Sequence, residues 1–509
     1  MTASTRKGFV LDVAAFAVAG FLSATGFAAD GVVTYEEFGA VGDGTHDDLP
    51  AIVAAHAAAN EKGLPVRAKD EAIYYIGPSN LTGVIRTDTD FGQATFFIDD
   101  TCGVSNRMAA IFSVPQPVPT VKFKVEGPVP RTRKSLGVKL PGRCFVMLFD
   151  ANRRQYMRDH PQAADKGAPQ TELLLVEADG AISPKTPVSQ DMATVTSAEA
   201  YPISPTRLTI RGGRFIHLCN REEGDRPGHW QWPRYYCRGI SLSRSNTLIE
   251  GVDHRVLAQK DYCFPYASFV SVNNAALVTV KDMMFWAHRK CGHGTYDFTV
   301  GRALGIRFIR CKQRNDIHDD GNWPPFGINY GRLVTFDDCE TVRFDAHAGV
   351  RDAVIRNSRL RIVNIIGGGN LMIENSRIES GWAAIWMRDD YGSVWNGDIT
   401  VRNCTIAPWE KGQDTRLFAA NNPGTHDFGY PCHMGRRITL ENVRFEDVGR
   451  GEMVLFGISP DDGKRAKDAP FPYLPPEEVV IRNVTSASGR EPKLTNAPEF
   501  LKGTKVTRQ

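Results

Sequence analysis

The chain has 509 residues, 47 of them glycine and 30 proline, with 23% charged residues and a formal net charge of +3. That balance excludes the basic stripe that binds nucleic acid by counterion release, while leaving the sign of a local binding site open. Beyond the N-terminus no stretch is long and apolar enough to span a bilayer as a helix, so neither nucleic acid nor a membrane is an expected partner.

Arg6-Lys7, the weakly apolar run from Val13 to Phe27 and the small residues Ala24 to Ala29 follow the pattern of an export signal with its cleavage site. The sequence predicts a signal peptide over 1–29 and a secreted or periplasmic mature protein. Of the ten cysteines, Cys219, Cys237, Cys263, Cys291 and Cys432 fall in loops or turns, where an oxidising compartment allows one or two disulfides. No pair has C-x-x-C spacing, which argues against a cysteine zinc site.

Next comes Phe38-Gly-Ala-Val-Gly-Asp-Gly-Thr-His-Asp-Asp48, followed by an Ala-rich helical stretch from Leu49 to Gly63. This segment resembles the opening of the pectate-lyase superfamily of polygalacturonase-like enzymes, lyases and phage tailspikes. The resemblance implies a right-handed parallel β-helix whose N-terminal cap and first coils occupy 30–115. It also implies an extracellular polysaccharide or oligosaccharide as substrate. Asp43 and Asp48 read as turn and helix-start residues, since carboxylates there meet free N–H groups. Such a cap is physically required, because the first coil would otherwise expose its core.

Over 116–205 the pattern breaks. Val118 to Val125 and Leu173 to Val176 are strand-like, which predicts interrupted coils with a small β-rich insertion, placed where it can close one end of a groove. From 206 to 486 apolar-alternating segments begin at Leu208, Thr247, Val278, Ile306, Val334, Ala353, Leu371, Ile399, Ile438 and Val479, at intervals of 18 to 41 residues. Alternation marks strands, and its recurrence marks a solenoid. One column carries Asn357, Asn375, Asn403, Asn442 and Asn483; the next carries Cys311, Cys339, Ser358, Ser376 and Cys404. The predicted fold class is all-β: a right-handed parallel β-helix with an N-terminal capping helix and a small insertion. The tail, 487–509, reads as polar and irregular. Such a solenoid exists as a monomer or a homotrimer.

Counting ten to thirteen residues on from each strand start predicts a polar stripe up one outer face: His288, Asp316/His318, Asp345/His347, Asn364 and Arg388/Asp389. Rungs of a parallel sheet lie about 4.8 Å apart, so Asp316 and Asp345 are expected as a solvent-open acid pair, with Asp319 or Asp320 able to replace either. Two nearby carboxylates split into acid and base because crowding raises the pKa of one, the arrangement used in glycoside hydrolysis. His318 and His347 would tune their protonation, and Arg351 and Arg388 would hold a carboxylate or hydroxyls. All eight tryptophans lie in the solenoid half; Trp323 and Trp386 are the candidates to stack on sugar rings beside the acids.

Gly292-His293-Gly294 resembles a polygalacturonase motif, but the acidic motifs follow it here instead of preceding it, so the catalytic residues of those enzymes are not carried over. His293, Tyr296 and Asp297 remain candidate substrate contacts. No cofactor is required, although Asp316, Asp319, Asp320 and Asp345 offer oxygens that a calcium ion accepts. Tyr330 or Tyr296 with His347 would make a metal-free lyase. The expected function is cleavage of glycosidic bonds in a polysaccharide. Hydrolysis is preferred over elimination because paired acids dominate the stripe. The alternative of another class is a non-catalytic, adhesin-like carbohydrate binder.

Overall fold

The computed structural model describes residues 31–509 apart from 107, 159–165, 219–237, 258–267, 287–295, 319–324, 389–390, 392–394, 411, 423–424, 427, 429, 448–450 and 461–469. The predicted signal peptide therefore lies outside the described residues, as do Cys219, Cys237, Cys263, Cys291, His288, His293, Asp319, Asp320, Trp323 and Asp389.

The chain winds as a parallel β-helix. Leu208–Arg211, Arg214–Leu218 and Ile240–Leu242 form the strands of one coil. Each pairs in parallel with its counterpart in the next, Thr247–Glu250, Asp253–Leu257 and Val270–Asn273. Within a strand alternate side chains enter the interior, and neighbouring rungs stack like on like. Phe96 lies on Phe215 with ring centroids 4.8 Å apart, Phe308 on Phe336 at 4.8 Å and Phe418 on Phe456 at 5.2 Å.

The asparagine column sits where each coil turns. Asn357, Asn375, Asn403, Asn442 and Asn483 all adopt φ near +50°, a left-handed conformation that a short polar side chain tolerates. Their exposed amides bond from rung to rung, Asn403 Nδ2 to Asn375 Oδ1 at 3.2 Å, Asn442 to Asn403 at 3.0 Å and Asn483 to Asn442 at 2.9 Å. The next column turns inward: Cys311, Cys339, Ser358, Ser376 and Cys404 are buried, the first two following Arg310 and Asp338, which share the same positive φ.

The helix Leu49–Lys62 covers the first coils, with His56 fully buried and its Nε2 3.1 Å from Tyr35 Oη. Asp43 and Asp48 both serve the turn. Asp43 accepts N–H bonds from Thr45 and His46, which hold its carboxyl far below the usual range. Asp48 stands at the helix start but spends its carboxylate on the Val41 and Gly42 N–H groups, not on the helix.

The segment after Phe112–Val114 leaves the solenoid as one excursion. Val121–Phe123, Cys144–Gln155, Ala168–Val176 and Ser197–Pro202 form a separate four-stranded antiparallel sheet. Leu208–Arg211 then resumes directly on Thr89–Asp90, so among the described residues no coil strand lies within the excursion. The insertion rests on the solenoid through Phe145, Met147, Leu173 and Leu175, which pack with Ala276 and Leu304. The expected irregular tail is instead ordered. Lys493–Thr495 and Lys505–Arg508 pair with Val454, Phe456 and Glu478–Ile481, because alternating Lys505-Val-Thr-Arg508 completes one more rung.

Candidate functional site

Strand Glu340–Ala348 positions the polar stripe. It pairs at one end with Lys312–Gln313 and at the other with Phe326–Asn329, so it spans two walls. Phe344 and Ala346 enter the core, which turns Arg343, Asp345 and His347 outward. Above Asp345 the expected neighbour Asn364 is present, but the residue beside Asn364 is Trp386 and not Arg388, which follows two residues later.

Asp345 is not solvent-open as the sequence suggested. It faces outward yet is only 1% exposed. Its Oδ1 lies 3.3 Å from Asn364 Nδ2 and 3.6 Å from Arg388 Nη1, while Oδ2 has no hydrogen-bond partner among the described residues. Desolvation lowers the pKa of Arg343, and the Asp345 charge opposes that shift. With Arg343 and Arg388 beside it, the Asp345 carboxylate is already neutralised, which leaves little for a calcium ion. Among the described residues no group of three His, Cys, Asp or Glu side chains could hold a metal.

Nor is Asp316 the rung beneath Asp345. The short strand ends at Gln313, and Asp316 follows in a turn, 71% exposed at its side chain. Its Oδ1 accepts the His318 N–H at 3.0 Å and lies 3.3 Å from His318 Nδ1. His318 Nε2 in turn stands 2.7 Å from Glu379 Oε2, a partner the sequence reading missed. Glu379 is 6% exposed and is gripped by Arg359 and Arg377. Burial raises its carboxyl, but the bonds from Arg377 and Arg359 outweigh this and leave it lowered, hence ionised. Thus the expected acid pair separates into two networks, Asp316–His318–Glu379 and Asp345–Asn364–Arg388.

Aromatic rings border both. Trp409 lies 5.8 Å from the His318 ring and carries the Arg361 guanidinium 3.6 Å over its face. Trp382 is 40% exposed and meets half-buried Trp386 edge to face at 5.4 Å. Trp395, by contrast, is fully buried with Nε1 on Gly369 O, a core residue.

On the adjoining wall, Tyr296, Asn329 and His347 line one open groove of about 520 Å3 with Ser241, Ser271 and Thr299. Those three small side chains occupy one register column. Gly327 continues that column and makes room for Tyr296: a Cβ there would stand 2.8 Å from Tyr296 Cε1. His347 Nδ1 is 2.9 Å from Asn329 Oδ1. An amide oxygen only accepts, so this bond selects the Nδ1–H tautomer and puts the lone pair of the neutral imidazole on Nε2.

The other expected contacts lie elsewhere. Tyr330, at φ +53°, packs with Tyr156, Ala348, Ile366 and Tyr391 and does not line that groove. Arg351 donates to Ser189 of the insertion at 3.0 Å and so belongs to the cleft beneath it. Asp297 is buried inside the solenoid, 2.5 Å from His254 Nδ1, which in turn stacks on Phe269.

No protein-family model matches this chain, and no curated protein matches it. Among solved structures, the tailspike gp49 from Pseudomonas phage LKA1 is 13% identical, with 94% of this chain and 84% of that chain covered and a TM-score of 0.52. The tailspike gp61 from Pseudomonas phage phi297 is 12% identical, with the same coverage and a TM-score of 0.53. PfbA, a surface adhesin of Streptococcus pneumoniae, is 12% identical over 91% of this chain and 94% of that chain, with a TM-score of 0.45. At such identities the tailspike likeness is one of fold: this chain is a right-handed parallel β-helix.

Proposed function

We propose that this protein is a carbohydrate-active β-helix that cleaves an acidic polysaccharide by β-elimination in the groove of Tyr296, Asn329 and His347. The observation that carries the reading is that a phenol and an imidazole whose Nδ1 is bonded to Asn329 line one concave groove. In that reaction a base removes the proton α to a uronate carboxylate. The electron pair forms a carbon–carbon double bond, and the β oxygen leaves with a proton from an acid. The His347 Nε2 lone pair suits the base, and the Tyr296 hydroxyl suits the acid. Hydrolysis by Asp316 and Asp345 finds less support, because Asp345 is covered and bound to Arg388.

A second reading, hydrolysis at the tryptophan-bordered wall, draws on the Asp316–His318–Glu379 chain of contacts, in which an exposed carboxylate stands against an imidazole backed by an ionised one. The test is a screen of acidic and neutral polysaccharides, following both reducing ends and the ultraviolet absorbance of an unsaturated uronide. Elimination predicts that absorbance, and its loss in His347→Ala and Tyr296→Phe but not in Asp316→Asn. Reducing ends without absorbance, lost in Asp316→Asn, would move the chemistry to the second wall. Binding with no new ends on any polysaccharide would make the protein a carbohydrate binder and remove both reaction schemes.

A further inference from the structure

The insertion and the solenoid enclose a second concavity, of about 340 Å3, lined by Arg131, Arg153, Arg351 and Arg436, with Asp191 as the one carboxylate among the described lining residues. In a chain of net charge +3, four guanidinium groups around one cleft are a local concentration of positive charge. Two of them are committed to holding the walls. Arg351 bonds Ser189, and Arg436 bonds Asn396 Oδ1 at 2.7 Å, Glu477 at 2.6 Å and His433 Nε2 at 3.2 Å. The other two face solvent. Arg153 is exposed and makes no ion pair among the described residues, and Arg131 is 65% exposed with Asp191 only at 3.8 Å.

Neutral polar groups complete the lining. Gln155, Gln170, Gln190 and Asn396 present amides, and Tyr430 presents a phenol ring. Gln170 is 1% exposed; its Nε2 donates to Asp191 O, but its Oε1 has no hydrogen-bond partner among the described residues. A buried acceptor left unmade costs about 1–3 kcal/mol, and a donor brought by a ligand would remove that cost. His433 adds no positive charge near neutrality, because burial and the neighbouring Arg436 lower its pKa to about 4.

We propose that this cleft is a separate binding site for a carboxylated oligosaccharide. The planar guanidinium forks of Arg153 and Arg131 pair with a uronate carboxylate, while the amides, with the open Gln170 acceptor among them, meet the hydroxyls. Such a site would hold an acidic chain on the insertion side of the solenoid whatever reaction follows, so it stands apart from the elimination reading.

The full chain carrying His347→Ala, chosen to silence cleavage, is titrated calorimetrically with an oligouronate and with its carboxyl-reduced neutral counterpart. The site predicts that the oligouronate binds at least tenfold tighter than the neutral sugar, and that affinity falls as salt rises. Arg153→Glu and Arg131→Glu, both at exposed positions, should each weaken oligouronate binding about tenfold with an unchanged melting temperature. Arg153→Gln, which removes charge without reversing it, should weaken it less. Equal affinity for the two sugars, or charge-reversal variants that bind like the parent, would overturn the site. Failure of the elimination reading shows separately, as absent unsaturated product with the wild-type chain.

Discussion

His318 Nε2 stands 2.7 Å from Glu379 Oε2 across 61 residues of chain, with Arg359 and Arg377 holding the same carboxylate. An acidic group held by cations titrates below its ordinary value, as Glu379 does. Its contribution to stability is therefore present above the usual glutamate pKa and lost as pH falls through the lowered, folded-state one. Glu379→Gln should cost about 1–2 kcal/mol at neutral pH, and the difference should disappear in acid. Urea unfolding at both pH values checks this; an equal cost at each would remove the ionic account.

Asp345 and Asp316 should respond differently to the same change. Asp345→Asn removes the charge that faces Arg388 and Arg343 in a covered site, and breaking a buried pair costs about 3–5 kcal/mol. Asp316 is open to water, so Asp316→Asn should move stability by no more than about 0.5 kcal/mol. Thermal unfolding of the two variants side by side decides it, and any loss of activity in Asp316→Asn can then be assigned to chemistry.

The asparagine ladder separates backbone strain from amide bonding. At Asn403, φ +51°, Ala loses both ladder bonds and pays the left-handed cost of about 1–2 kcal/mol. Gly loses the same bonds without that cost. Denaturant unfolding should rank wild type above Asn403→Gly and Asn403→Gly above Asn403→Ala; equal Gly and Ala values would mean that conformation contributes nothing there.

Arg332 pins the insertion to the solenoid. Its Nη1 donates to Glu172 Oε1 and Leu173 O, both at 2.7 Å, and its Nη2 to Pro187 O at 2.6 Å. Burial pushes the Glu172 carboxyl up, against the pull of Arg332 and Arg351. Arg332→Ala should cost about 3–5 kcal/mol at neutral pH and expose the insertion to limited proteolysis. A raised carboxyl favours the folded state below its ordinary pKa and loses that favour as pH rises through the folded value, so the variant should resist protease better in mild acid. Cleavage at the wild-type rate at neutral pH would show that apolar packing alone secures the insertion.

The sequence by itself determined the architecture, because a parallel β-helix is written in short-range periodicity. Alternation sets which side chains enter each rung, and recurrence of asparagine and of small residues marks where coils turn, so the ladder and the Asp345–Asn364 step were legible. Tertiary structure alone decided what those columns do. Coil lengths vary, so counting from strand starts could not show that the chain leaves the sheet before Asp316 or that Glu379 meets His318. Periodicity says that Asp345 faces outward but not that neighbouring side chains cover it. The arginine cleft was equally hidden: Arg131 and Arg153 come from the insertion, Arg351 and Arg436 from distant coils, and only docking of one sheet against the other brings like charges together, at an electrostatic cost that an acidic ligand would relieve.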